Sequence, residues 1–467
     1  MSRRGFVPTS REQRAAMLAD AGLSDPDRLF DMIPPDLRLG DSLENLAIPG
    51  PMSELEISRQ LQGLAARNQP ASENLCFLGA GAYDHFQPAA VRQLIGRQEF
   101  YTAYTPYQPE ISQGTLQGIF EFQSLICRLT NLDVANSSMY DGATAAAEAL
   151  LMACRQTGRH RVIVAGSCHP QTLEVVRTYL QASGNQVDVL PADSAGDWTA
   201  ALAANPPDAQ TAGVLVQNPD FFGTLQDLPA VAELAHQAGA LAIASCDLLS
   251  LAVLQTPGEA GFDLAVGEVQ SMGLPLSFGG PYAGYLAARE SLLRRMPGRI
   301  CGETVDKEGR RAFVLTIQAR EQHIRRDKAT SNICTNEALC ALSATIQAAL
   351  LGGSGLRQAA AQSARLAVRL QNRLLATGWF DKVFDRPFFR EFAIRLKPGQ
   401  WPAKFSIAEL NRWLAAQGII GGFDLSATDF PVRIADGWLL AVTEKRSEQD
   451  LERLISQITA YRCERGL

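Results

Sequence analysis

At 467 residues the chain exceeds one average domain and is expected to form two or three. With 46% hydrophobic and 20% charged residues, a net charge of −6 and a pI near 5.6, it reads as an ordinary globular protein, without the clustered basic surface of a nucleic-acid binder. No apolar run reaches the ~18 to 20 residues of a membrane span, and the N-terminal arginines have no apolar core behind them. A cytoplasmic protein is the expectation.

The nine cysteines are scattered, odd in number and lack a C-x-x-C pair, so reduced thiols are expected rather than a disulfide frame. The five histidines show no metal-ligand spacing, and no metal is expected. The densest basic patch, Arg320, Arg325, Arg326 and Lys328, has Glu321 and Asp327 inside it and reads as a solvated helix face.

Residues 1–75 read as a helical arm. Ser10 is placed to cap a helix through Leu18, Ser24 to Pro26 to open another ending near Met32, and a third runs from Ser53 to Arg67. Next comes FYTAYTPYQPEISQG, Phe100 to Gly114, with Tyr101, Tyr104, Tyr107, Pro106 and Pro109. Each X-Pro step disfavours α geometry in the residue before it, which predicts a stiff, extended segment. Leu116, Ile119, Phe120, Leu125, Ile126 and Leu129 then recur at helical spacing behind Ser112 or Gly114 as cap. The tyrosines either pack on the protein's own surface or at a subunit contact, or project into a cleft.

From Val134 short β-branched runs alternate with helices: Arg161–Ala165, Gln186–Leu190, Ala212–Gln217, Leu241–Ser245, Asp263–Val266 and Tyr285–Ala288. Such continuous apolar strands imply a mostly parallel sheet covered on both faces. Two long helix patterns follow, about Asn336 to Leu351 and Leu356 to Ala376. Beyond Trp379 strands at Phe389–Leu396 and Trp438–Val442 and helices at Ile407–Ala416 and Glu448–Tyr461 predict a small α+β domain. The expected division is 1–75, 76–350 and 351–467. That order is the one expected of a fold type I pyridoxal-phosphate (PLP) transferase.

Three stretches bear on chemistry. At Met139–Glu148, Asp141-Gly142-Ala143-Thr144 opens an alanine-rich helix. Free N–H groups at such a start attract an anion, which is where a type I enzyme seats its phosphate; the other reading is that Asp141 caps the helix and would repel a phosphate. Asp247 stands where the pyridinium-binding aspartate belongs. The turn after the next strand, Gly267 to Pro281, contains no lysine, and Gln270 or Ser271 stands in the expected place. Neither forms an aldimine. The third stretch, Arg326 to Glu337, gathers Thr330, Ser331, Asn332 and Thr335 ahead of a helix. Thr335 reads as its N-cap, and the polar density before it suits a ligand or an interface.

Phe100–Gly114, Asp133–Glu148, Gly267–Gly284 and Arg310–Asn336 together resemble the P-protein family of the glycine cleavage system, in its alpha-subunit form. The resemblance runs from about Gly5 to Arg462. It implies glycine decarboxylation by an α2β2 assembly in which the beta subunit holds PLP on its own lysine, and transfer of the aminomethyl group to the lipoyl arm of the H-protein. It implies that Tyr101, Tyr104, Thr105, Tyr107, Gln108, Glu110, Asn332 and Thr335 contribute to the partner's active site. Asp141, Gly142, Ala143, Asp247 and Gln270 would form a vestigial cofactor pocket. Two rival readings are an independent PLP enzyme, which the lysine-free turn opposes, and a non-catalytic scaffold or regulatory pseudoenzyme.

Overall fold

The computed structural model describes residues 8–38, 50–101, 104–333, 335–402, 405–426 and 434–466. The chain divides after Gln69 into two units. In the first, helix α1 (Arg11–Asp20) starts at Ser10, whose hydroxyl accepts from Gln13 N while Gln13 returns a bond to the Ser10 N–H. Ser53 and Glu56 form the same reciprocal cap on α2 (Glu54–Ala65). Between them the expected helix to Met32 is a short 3-10 turn, Pro26–Phe30, capped by Asp25. Neither helix nor the turn buries a side chain, and Met17, Phe30, Met32, Leu55 and Leu61 stand exposed.

The second unit begins with β1 (Leu75–Cys76), α3 (Ala89–Ile95) and α4 (Gln98–Tyr101). The tyrosine segment is therefore not extended throughout: Tyr101 closes a helical turn, and Pro109–Ile111 forms a 3-10 turn. Helix α5 (Gln113–Thr130) follows Ser112, whose side chain makes no capping bond. Its buried stripe is Leu116, Ile119, Phe122 and Ile126, close to the expected periodicity.

Next come β2 (Val134–Ala135), α6 (Gly142–Thr157), β3 (Arg161–Ala165), α7 (Pro170–Ala182), β4 (Gln186–Leu190), α8 (Trp198–Ala204), β5 (Thr211–Asn218), α9 (Leu228–Gln237), β6 (Leu241–Cys246), β7 (Leu264–Glu268) and β8 (Gly284–Ala288). Seven strands form one sheet in the order β2-β8-β7-β6-β5-β3-β4. The pairs among β3 to β7 are parallel, while β8 runs antiparallel to both β7 and β2. This is an α/β fold with a mixed, mostly parallel sheet, and central strands such as β5 are buried on both faces. The all-apolar stretches of β3, β5 and β6 and the alanine face of α6 fill the main core.

A hairpin of β9 (Ile300–Val305) and β10 (Arg311–Thr316), absent from the sequence reading, packs Cys301, Phe313 and Leu315 on α5. The basic patch near it is not one solvated face. Arg320 is 6% exposed and donates to Met296 O, whereas Arg325, Arg326 and Lys328 on and after the short α10 (Gln322–Arg325) are exposed. Burial pulls the Arg320 guanidinium below its usual range.

The two long helix patterns are one element, α11 (Ala338–Ala376), interrupted at Gly352, where φ is +61° and ψ 177°. Among the described residues it is the one helix long and apolar enough to cross a membrane by composition, yet Ala344, Leu356 and Ala360 lie in the main core and Leu366, Leu370 and Leu374 in a second one. That second core belongs to a four-stranded antiparallel sheet, ordered β11-β12-β15-β14, built from β11 (Phe380–Lys382), β12 (Glu391–Leu396), β14 (Phe423–Asp424) and β15 (Gly437–Ala441). Helices α12 (Ile407–Ala416) and α13 (Glu448–Glu464) pack on it, and β13 (Ile419–Ile420) pairs with β1. Trp438 and Phe392 fill its centre. The eight described cysteines are unpaired, and Cys334 lies outside the described residues.

Candidate functional site

Strands β6 and β7 and the start of α6 end at one cavity of about 860 Å³ in the second unit, with Arg390 and Glu391 of the small sheet on its far wall. Ends of parallel strands are where α/β folds build sites. Of the expected pocket residues, Asp141, Gly142, Ala143 and Asp247 line it and Gln270 does not.

At the α6 start Asp141 caps the helix: its Oδ1 accepts from Thr144 N at 2.7 Å, and the Thr144 hydroxyl accepts from Asp141 N at 3.2 Å. A second carboxylate fills the rest. Glu268, at the end of β7, accepts from Gly142 N at 2.9 Å with one oxygen and from Val269 N and Ala283 N at 3.1 Å with the other. Gly142 is required there, because a Cβ would lie 2.8 Å from Glu268 N. Burial, with Asp141 adding to it, pushes the Glu268 carboxyl up to about 7.

Asp247 follows β6. Its Oδ1 accepts from Ser250 N at 3.0 Å, and its Oδ2 accepts from Arg390 Nη2 at 2.6 Å. Arg390 is 2% exposed, and its guanidinium carbon lies 3.7 Å from the centre of the Tyr83 ring. Its Nη1 is 2.7 Å from His85 Nε2. A guanidinium only donates, so Nε2 accepts and His85 Nδ1 carries its proton toward Glu444 Oε2 at 2.6 Å. Burial alone would raise the Asp247 carboxyl; the Arg390 charge overrides it and holds the group below its usual range. The Tyr83 hydroxyl donates to Glu391 Oε2 at 2.7 Å, and burial pushes that carboxyl up to about 6.

Gln270, in the expected lysine place, is spent on structure. Its Oε1 accepts from Tyr83 N at 2.9 Å, and its Nε2 donates to Tyr83 O and Leu274 O at 3.0 and 2.9 Å. Ser271 Oγ is buried without a hydrogen-bond partner among the described residues.

These residues do not fit PLP. The helix N-terminus that would hold a phosphate is taken by Glu268 and Asp141. The aspartate that would meet a pyridinium nitrogen is paired with Arg390, the turn offers no amine, and Asp220, Glu174 and Glu337 add further acid to the walls. Nothing in the sequence reading singled out Glu268, Tyr83 or Arg390. The signal for the last was present: Arg390-Glu391 is a charge pair inside the apolar run Phe388 to Leu396.

The tyrosine arm forms a second place. Tyr101, Tyr104, Thr105 and Thr335 border a cleft of about 230 Å³ between α5 and the start of α11; Tyr107, Gln108, Glu110 and Asn332 do not line it. Tyr104 is 90% exposed, Tyr101 69% and Tyr107 53%. Thr335 does not cap α11: the cap residue is Glu337, and its N–H donates to Ser138 Oγ at 3.0 Å. Tyr107 leans on the buried Arg299, whose Nη2 donates to the tyrosine oxygen at 3.2 Å.

A sequence profile described as the glycine cleavage system P-protein matches residues 4–458. Probable glycine dehydrogenase (decarboxylating) subunit 1 of Desulforamulus reducens is 47% identical over 455 residues, 97% of this chain and 99% of that protein. The protein of the same name from Moorella thermoacetica is 49% identical over 452 residues, 97% and 98% of the two chains. A crystal structure of glycine decarboxylase (P-protein) of the glycine cleavage system, in inhibitor-bound form, superposes with a TM-score of 0.84 at 41% identity and covers 97% of this chain and 99% of that one. The cysteine desulfurase CsdA of Escherichia coli, at 15% identity and a TM-score of 0.60 over 85% of this chain and 97% of its own, shares the fold.

Proposed function

Since the chain belongs to the glycine cleavage system P-protein family, we propose that it is the alpha subunit, subunit 1, of a decarboxylating glycine dehydrogenase that works in the cytoplasm joined to a second, PLP-bearing subunit. The partner's PLP supplies the electron sink for loss of CO2 from glycine, and the aminomethyl group passes to the lipoyl arm of the H-protein. The assembly is α2β2. The observation that carries this reading is the internal occupation of the cavity: Glu268 on the α6 N-terminus and Arg390 on Asp247 and Tyr83 take the positions a coenzyme would need.

What this chain offers the reaction is the arm. Tyr101, Tyr104, Thr105, Tyr107, Gln108 and Glu110 border the partner's cleft, with Asn332 and Thr335 at the same mouth. Two largely exposed rings, Tyr101 and Tyr104, beside a third, Tyr107, that is braced by Arg299, suit a protein contact with a polar centre. Tyr104→Phe, assayed in the complete complex, tests this reading. Glycine turnover and lipoate-dependent CO2 exchange fall if the arm borders the cleft, and unchanged rates reject it.

A further inference from the structure

We propose that Arg299 is a positioning residue for Tyr107, and that the pair turns the tyrosine hydroxyl outward as a hydrogen-bond donor to the carboxylate of the amino-acid substrate in the partner's cleft. This rests on the reading that the arm borders that cleft.

Arg299 is 4% exposed and directly precedes β9. Its carbonyl accepts from Ser137 N at 2.9 Å, which ties it to the turn between β2 and α6. The side chain reaches the arm: Nη2 lies 3.2 Å from the Tyr107 oxygen, and the guanidinium carbon 5.4 Å from the ring centre. Nη1 stands 3.5 Å from Asn336 Oδ1, and the Asn336 amide nitrogen donates to Ser138 Oγ at 3.2 Å and Ser137 O at 3.4 Å, which orients the amide oxygen toward the arginine. The His323 ring packs edge-on against Tyr107 at 6.0 Å. The ring of a residue that keeps 53% of its surface in solvent is thus fixed from behind by a buried cation and from the side by an imidazole.

The direction of the proton follows. A guanidinium donates and never accepts, so the tyrosine oxygen spends a lone pair on Arg299 and its own proton points away, into the open side. A donor backed by a poorly solvated cation favours an anionic oxygen and disfavours an ammonium group. Of the two ends of an amino acid, the carboxylate is the one this arrangement attracts. A buried arginine cannot itself touch the substrate, so its effect passes through Tyr107.

The test uses the complex of both subunits with Tyr107→Phe, Arg299→Lys and the double variant, against glycine and against methylamine, which is glycine without its carboxylate. Tyr107→Phe raises the glycine KM about tenfold, the loss of one charge-assisted hydrogen bond, with kcat and affinity for the partner subunit unchanged. Methylamine binding, read from the coenzyme's absorbance, does not move. Arg299→Lys gives a similar glycine loss, and the double variant is no worse than Tyr107→Phe, since the two act as one unit. Equal losses for glycine and methylamine, or additive losses in the double variant, overturn the proposal. If Arg299→Lys does not fold, the glycine–methylamine contrast in Tyr107→Phe decides alone. A Tyr104→Phe variant that loses turnover while Tyr107→Phe keeps its glycine KM overturns this proposal and leaves the arm reading standing; no effect from either removes both.

Discussion

Replacing Arg390 by Met should destabilise the chain by roughly 3 kcal/mol, because it strands a buried carboxylate. Arg390 closes its pair with Asp247 at 2.6 Å and keeps 3% of its side-chain surface, whereas Asp247 keeps 19%, facing the cavity. With the centres of the two delocalised charges about 4 Å apart, such a pair is worth about 4 kcal/mol at an intermediate dielectric, and cavity water reclaims part of the lost solvation, which places the cost at the lower end of the range for broken buried pairs. Methionine retains most of the volume, so packing contributes little. Urea unfolding of the isolated chain at pH 8, followed by circular dichroism, measures it. Asp247→Asn in the same chain should restore most of the loss, since the stranded charge is then gone. The sign with pH also changes. With Arg390 present the Asp247 carboxyl sits below its usual range, so its stabilising contribution is lost only as pH falls through that depressed value. Without Arg390, burial raises the carboxyl, and the variant gains stability as pH falls from 8. A loss under about 1 kcal/mol, or a double variant as weak as the single one, would refute the claim that this pair locks the small sheet to the end of β6.

Two further outcomes are expected. Glu268 and Asp220 are both pushed up to about 7 by burial. A group with a raised folded value takes up its proton in the native state first, so the native chain should be more stable at pH 6 than at pH 8, by about 1.4 kcal/mol for each such carboxyl. Urea midpoints at the two pH values check this, and a Glu268→Gln, Asp220→Asn variant with the wild-type pH slope would contradict it. Gly142→Ala should lower the melting temperature, corresponding to about 1–3 kcal/mol of overpacking, because its Cβ would press on Glu268 N at 2.8 Å and Gly267 C at 2.9 Å; differential scanning fluorimetry is sufficient to detect it.

Strands β3, β5 and β6 were legible because burial on both faces writes itself as unbroken β-branched and small apolar runs, whereas β4, at the sheet edge and nowhere fully buried, showed itself only by alternation of Val187 and Val189 with polar residues. The Asp141 cap was legible because its reciprocal partner, Thr144, lies within one helical turn. What was missed depends on residues far apart in the chain. Glu268 reaches Gly142 over 126 positions, and Arg390 reaches Asp247 over 143. The Thr335 cap failed for the same reason: Ser138, 199 positions away, already supplies the hydroxyl for Glu337 N. Arg320 looked solvated from its charged neighbours, but the chain turns at Ile317, with φ at +54°, and carries it inward to the Met296 carbonyl. The lysine-free turn was readable directly. That Gln270 is used instead to clamp the Tyr83 backbone was not.

Reduction with borohydride and peptide mapping reach the central claim most directly. The purified chain is incubated with pyridoxal phosphate, alone and joined to its partner subunit, then reduced and digested. The account predicts a pyridoxyl adduct on a lysine of the partner and none on this chain in either sample, with glycine-dependent CO2 release in the joined sample alone. A stoichiometric adduct on a lysine of this chain, accompanied by glycine decarboxylation without the partner, would contradict it.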